Sequence, residues 1–198
     1  MTQEILSDND LDLIFREARS FKGWRDVPVS EITIRAMYDL LRWGPTSFNC
    51  SPARFKILRS EDAKNKLADC ASRGNKNQIL TAPFTVIVGM DMKFYDTLPD
   101  LFKGYDKARD LYVGNADLTE ETALRNSSLQ GAYMIIAARA LGLDCCPMSG
   151  FDGPAVNKAF FEGTDEQVNF ICSMGYGNKD SLPARDRRLS FDEACEIL

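Results

Sequence analysis

Several stretches of this chain gather side chains able to hold or polarise a ligand. Trp43-Gly44-Pro45-Thr46-Ser47-Phe48-Asn49-Cys50-Ser51-Pro52 sets hydroxyls, an amide and backbone N–H groups beside one aromatic, between two prolines. Proline and glycine punctuation hold such a loop still, which suits a ligand rim or a plain helix-to-strand connection. Arg19, Ser20 and Lys22 combine two cations with a hydroxyl, and Arg185, Arg187 and Arg188 form a dense cationic group. The planar fork of arginine matches phosphate oxygens, although the same charges also suit a helix C-terminus or a solvated tail. Asn75-Lys76-Asn77-Gln78 offers amides to the edge of a heterocycle, or is a polar helix end. In Pro147-Met148-Ser149-Gly150-Phe151-Asp152 the glycine permits close backbone approach to a flat ligand, while Asp152 serves as a helix cap.

What is missing narrows the chemistry. The 198 residues include no histidine, so Ser-His-Asp and Cys-His catalysis, imidazole proton transfer and histidine–metal sites are all excluded. An enzyme built from this chain must rely on a cofactor, or on carboxylates, Lys, Cys or Tyr. The six cysteines (50, 70, 145, 146, 172 and 195) contain no Cys-x-x-Cys spacing and read as free thiols of a reducing compartment. No Gly-x-Gly-x-x-Gly opens a helix after a strand and no Walker A sequence occurs, so the usual dinucleotide and P-loop sites are absent. A net charge of −5 argues against nucleic acid as a partner. No apolar run is long enough to span a membrane, and the acidic start Met1–Asp8 lacks the apolar core of a leader, which points to a cytoplasmic protein.

These stretches need elements to position them. Ser7, with Asp10 three residues on, caps a first helix whose stripe Leu11, Ile14, Phe15 and Ala18 runs out near Arg19. Ser30 caps a second, with Ile34, Met37, Tyr38 and Leu41 on one face, stopped by Gly44-Pro45. Arg54–Leu58 reads as a strand and Ser60 opens a helix reaching Gly74. Pro83–Met90 is a β-branched run suited to a strand buried on both faces. Residues 91–116 read as one short helix within a mobile excursion. Asp117 and Glu120 make a capping-box variant for the longest helix, which ends at Gly142 and is apolar nearly all round from Leu129 to Leu141. Such a helix is central, or buried in a subunit interface. Asp152 caps a short helix, Val168–Met174 is the last clear strand, and Ser190 with Glu193 caps a final helix. The order α-α-β-α-β-α-α-β-α-β-α describes a single α+β domain over 1–198, with helices flanking a central sheet and 183–198 as an extension.

Taken together, the motifs resemble the nitroreductase family of FMN-dependent oxidoreductases. They are Arg19-Ser20-Phe21-Lys22 after the first helix, Pro45-Thr46-Ser47-Phe48-Asn49-Cys50-Ser51-Pro52 after the second, Asn75 before the central strand, Ala140–Leu143, Gly150-Phe151-Asp152, and Gly175-Tyr176 with a basic tail. Within the family, Gly23-Trp24-Arg25, Glu121-Thr122-Ala123-Leu124-Arg125-Asn126-Ser127-Ser128 and Pro147–Asp152 are similar to the branch containing malonic semialdehyde reductase.

The resemblance implies a three-layer fold with a mostly antiparallel sheet. It also implies an intertwined homodimer with FMN at the subunit interface. Arg19, Ser20, Lys22 and Arg188, with Arg185 as a second candidate, would hold the phosphate or its neighbours. Pro45, Thr46, Ser47 and Asn49 would line the cofactor from the opposite chain, and Asn75 and Gln78 would reach its ring or ribityl. Ser149 and Gly150, with Pro147 and Met148 beside them, would lie near the reactive nitrogen. Ala18 stands where many members carry Arg, and Gln78 where some carry Lys. The implied reaction is ping-pong hydride transfer from NADH or NADPH to a small acceptor, malonic semialdehyde giving 3-hydroxypropionate. The alternatives are a broad nitroaromatic or quinone reductase and, more distantly, a flavin-binding protein without catalysis.

Overall fold

In the computed structural model, which describes residues 4–198, the serine caps are formed as the sequence marks them. Ser7 and Asp10 close a capping box over α1 (Asp8–Leu11). The first three residues read for a leader lie outside the described residues. A π-type turn over Asp12–Arg16 follows α1, so regular helix ends before Ala18, earlier than the stripe suggested. Ser30 accepts from Thr33 N at 3.1 Å and opens α2 (Glu31–Leu41), which buries Ile34, Met37 and Leu41. Tyr38 lies at the margin of that stripe, half exposed, with its ring edge-on to Phe55.

Strand β1 (Ala53–Leu58) leads into α3 (Glu61–Cys70), which stops four residues short of Gly74. Asn75 then initiates a separate helix, α4 (Lys76–Thr81), where the sequence suggested a polar helix end. Strand β2 (Phe84–Asp91) is buried along its length up to Met90, as its apolar run requires. The excursion holds α5 (Leu98–Leu101), flanked by single 3-10 turns at Phe94–Thr97 and Arg109–Leu111. It folds around its own small core of Phe94, Leu98, Ala108 and Tyr112, which meets Cys50 and Ala123.

Helix α6 (Ala116–Ala140) spans 25 residues, or about 37 Å. Its cap is Asn115, not Asp117: the Asn115 side-chain Oδ1 accepts from Leu118 N at 3.2 Å, and Asp117 adds favourable charge inside the first turn. The remaining elements are β3 (Asp144–Met148), α7 (Gly153–Phe160, capped by Asp152), β4 (Glu166–Gly175) and α8 (Phe191–Ala194, boxed by Ser190 and Glu193).

The strands form one antiparallel sheet in the order β1-β2-β4-β3. On one face α2 and α6 close over Val86, Val88, Cys172 and Met174. On the other, α3, α4 and α7 cover Ile87, Ile171 and Met148. Each fully buried Leu, Ile or Phe here contributes about 1.5–3 kcal/mol, and most polar residues of β4 (Glu166, Gln167 and Asn169) fall in its less buried first half. The buried Thr85–Ser173 pair satisfies itself across the strands at 2.8 Å. Two features remain open: the outer edge of β1, and the apolar side chains Leu124, Leu129 and Tyr133 on α6, each 39–46% exposed. Among the described residues, no helix is long and apolar enough to cross a membrane.

Candidate functional site

The edge of β3 organises one group of candidates. The backbone after the π-turn runs beside it: Ser20 bridges to Cys145, and Phe21 N donates to Cys145 O at 3.2 Å. The chain beyond β4 lies against the same segment, with Arg25 N donating to Tyr176 O at 2.8 Å and Asn178 N to Gly23 O at 3.0 Å. Two arginines then cross between them. Arg19 donates to Pro183 O at 2.7 Å, and Arg185 donates to Ala18 O at 3.0 Å. Lys22 lies near Cys146, whose thiol burial pushes up while the lysine charge pulls the other way.

Among the described residues, Arg19, Lys22 and Arg185 pair with no carboxylate, although acidic side chains outnumber basic ones by 29 to 24. Cations without a carboxylate partner, drawn from two distant stretches of the chain, are residues that could hold an anion. The basic tail does not act as one cluster. Arg187 forms a two-pronged pair with Glu193, at 2.7 and 2.8 Å, and Arg188 turns onto the carbonyls of Asp186 and Arg187. The structure therefore brings Arg185, rather than Arg188, to Arg19 and Ser20.

Farther along β3, Met148 leads into Ser149-Gly150, which faces the turn between α3 and α4. Ser72 N donates to Gly150 O at 2.9 Å and Asn75 Nδ2 to the same oxygen at 3.0 Å. A Cβ on Gly150 would stand 2.6 Å from Asn75 Nδ2 and 2.7 Å from Ser72 Oγ, so this approach requires glycine. Gln78 follows Asn75 by three residues and so shares its side of α4. It is buried, and its Oε1 has no partner among the described residues. A buried amide oxygen without a donor costs about 1–3 kcal/mol, so Gln78 is a residue that could take a donor from a ligand. Cations at one end, amides and a bare glycine backbone at the other, and an orphaned amide between helix and strand fit a long, flat molecule with an anionic tail.

Pro45, Thr46, Ser47 and Asn49 are not part of this group. Their loop is held by α6 and the excursion. Ser47 N donates to Asn126 Oδ1 at 2.8 Å, and Ala53 N donates to Gln130 Oε1 at 2.8 Å. Gly44 comes so close to α6 that a Cβ would meet the Tyr133 ring at 2.7 Å. Asn126, Gln130 and Tyr133 occupy one stripe of the helix, spaced i, i+4, i+7. Within the loop, Phe48, Asn49 and Ser51 all adopt left-handed backbone, with φ of 51°, 53° and 40°. Such residues cost of order 1–3 kcal/mol each and persist only where their surroundings impose them. Here Thr46 Oγ1 accepts from Ser51 N, Asn49 Nδ2 donates to Leu101 O at 3.0 Å, and Phe48 packs on Phe102.

The grip by Asn126 and Gln130 was not assigned from sequence. Its signal was two polar residues four apart on the buried side of the longest helix, one of them inside the quoted Glu121–Ser128 motif.

Cys50 lies beneath this loop, fully buried, with its thiol pushed up to about 11 by burial. Burial also holds Cys172 well above the usual thiol range. Iodoacetamide at neutral pH should therefore leave Cys50, Cys145 and Cys172 unmodified in the native protein and label them after unfolding, read by mass spectrometry. Rapid native labelling of Cys50 would contradict a closed loop.

An antiparallel sheet between two helical layers, with cationic side chains beside its edge strand, defines the class, and comparison with known proteins gives it a name. Residues 15–176 match the model of the nitroreductase family, and the chain belongs to that family. A protein of Polynucleobacter asymbioticus, described provisionally as an NADH dehydrogenase/NAD(P)H nitroreductase, is 48% identical over 98% of both chains. A Bacillus subtilis crystal structure, provisionally a nitroreductase, superposes with a TM-score of 0.84 over 97% of this chain and 100% of that one, at 22% identity. A provisional nitroreductase from Exiguobacterium sibiricum, crystallised in complex with FMN, gives 0.83 over 100% of both chains at 22% identity. These two likenesses establish the fold.

Proposed function

We propose that this protein is an FMN-dependent NAD(P)H oxidoreductase whose acceptor is a small aldehyde, malonic semialdehyde in the first instance. The observation that carries the cofactor is the edge of β3: cations with no carboxylate partner among the described residues beside Ser20, then Ser149-Gly150 with Asn75 and the Gln78 amide oxygen. FMN in a relative's crystal and the nicotinamide activity named for the 48% identical protein support the same reading. Bound there, FMN would supply hydride relay between a nicotinamide and the acceptor. Arg19, Lys22 and Arg185 would hold its phosphate with Ser20, and Asn75 and Gln78 would hydrogen-bond its polar edge. Ser149 and Gly150 would bring backbone close to the reacting nitrogen, with Pro147 and Met148 fixing that turn. Arg188 is free to reach the phosphate only if the tail shifts.

The overall balance is NAD(P)H plus a proton plus an aldehyde, giving NAD(P)+ and an alcohol. Without histidine, the proton comes from water or a hydroxyl. Because Pro45–Asn49 is tied to α6 and the excursion, it serves a site completed by a second copy of the chain. The open β1 edge, the half-exposed Leu129 and Tyr133, and a tail exposing Leu189, Phe191 and Ile197 support an intertwined homodimer. Light scattering should give twice the chain mass, and a monomer that retains FMN would contradict the split site.

The acceptor is tested by stopped-flow oxidation of the reduced protein with malonic semialdehyde and a nitroaromatic in parallel. The aldehyde should restore flavin absorbance at least as fast as the nitroaromatic. Recovery with the nitroaromatic alone would replace the aldehyde assignment by the broad reductase reading.

A further inference from the structure

A cavity of about 570 Å³ lies between the end of α2, the Pro45–Ser51 loop, the start of β1 and α5. Pro45 and Asn49 form part of its wall, so a molecule inside it touches the residues placed at the cofactor rim. Tyr38, Trp43 and Leu101 supply apolar surface there.

Four polar groups matter. Gln130 lines the cavity and is only 5% exposed. Its Oε1 must face the Ala53 N–H it accepts, so the amide orientation is fixed and the Nε2 donor, which has no partner among the described residues, is left for a ligand. Arg42 stacks on the Trp43 ring at 5.6 Å and pairs with no carboxylate among the described residues. Arg54 is already committed, to Asp91 at 2.5 Å and to the carbonyls of Ser51 and Ala53. Asp100 lines the same cavity and brings a negative charge to it.

We propose that this cavity is the acceptor site and that Arg42 selects acceptors bearing a carboxylate, with Gln130 Nε2 donating to an acceptor oxygen. The inference rests on the oxidoreductase reading and adds to it the residue that recognises the acid end of the substrate. A side chain held over an indole presents its guanidinium edge to oxygen, while its flat face covers apolar surface. Asp100 sets the upper limit on the preference, because it repels the same carboxylate.

The test compares para-nitrobenzoate with nitrobenzene, which differ only by the carboxylate, as oxidants of the anaerobically reduced, FMN-loaded protein. The ratio of their second-order rate constants should fall about tenfold in Arg42→Gln, the size of one charge-assisted hydrogen bond, through the acid alone. It should rise in Asp100→Asn. Calorimetric binding of benzoate to the oxidised holoprotein should weaken in parallel in Arg42→Gln. An unchanged ratio in Arg42→Gln, or an equal loss with both oxidants, overturns the assignment. A flavin that no nicotinamide reduces would instead defeat the oxidoreductase reading, and benzoate calorimetry on wild type and Arg42→Gln would still decide the cavity.

Discussion

Gly150→Ala should lower FMN affinity at least about tenfold, some 1.4 kcal/mol, while the chain stays folded. The added methyl would meet Asn75 Nδ2 at 2.6 Å and Ser72 Oγ at 2.7 Å. Both are the far ends of side chains, so they swing aside and the backbone holds. The cost falls on the cradle: Asn75 loses its 3.0 Å bond to Gly150 O and is displaced from the position proposed to meet the flavin. Fluorescence titration with FMN reads the affinity, and the melting temperature of the FMN-free protein reads the fold. Unchanged affinity would place the flavin elsewhere. A collapse of the fold with no separate effect on binding would make Gly150 structural only.

The second large effect is expected at a residue that touches no ligand. Asn126→Leu removes the acceptor of Ser47 N–H, leaving a backbone donor unpaired above a loop of three left-handed residues. The loss should be about 1–3 kcal/mol of stability, with weaker FMN retention as the rim relaxes. Ser47→Ala separates the two effects. It keeps the backbone N–H and its 2.8 Å bond, so stability should stay within about 0.5 kcal/mol, while FMN retention falls because the hydroxyl is lost. Denaturant unfolding and FMN content after desalting measure the pair. If both variants keep full FMN, Thr46–Asn49 is a connection and not a rim.

The division between what was legible and what was not follows physical range. Caps are local, so Ser7, Ser30, Ser60, Asp152 and Ser190 could be read from neighbours three residues away. The β2 run announced its two-sided burial in the same way. The cap of α6 was misplaced because Asn115 and Asp117 are both competent, and only the path of the excursion selects Asn115. The helix over 61–74 was read too long because Gly74 hid the break at Cys70, where Ala71 turns to extended backbone to meet Phe151. The site follows the same rule. Arg19, Ser20 and Gly150 were visible as residue types, but their alignment along β3 depends on pairings more than a hundred residues apart. The choice of Arg185 over Arg188 depends on which arginine the tail directs at Ala18 O, and Arg187 is taken by Glu193. Nothing in the spacing of 43–53 reveals that Asn126 and Gln130 grip it.

The central claim is a nicotinamide-reducible FMN on the edge of β3. Its most direct measurement is anaerobic titration of the FMN-loaded protein with NADH and with NADPH, followed by the flavin absorbance. One of the two should bleach the flavin at one equivalent per bound FMN, with the Arg19→Ala, Arg185→Ala double variant retaining too little FMN to bleach. A wild-type protein that takes up no FMN, or whose bound flavin neither nicotinamide reduces, would contradict it.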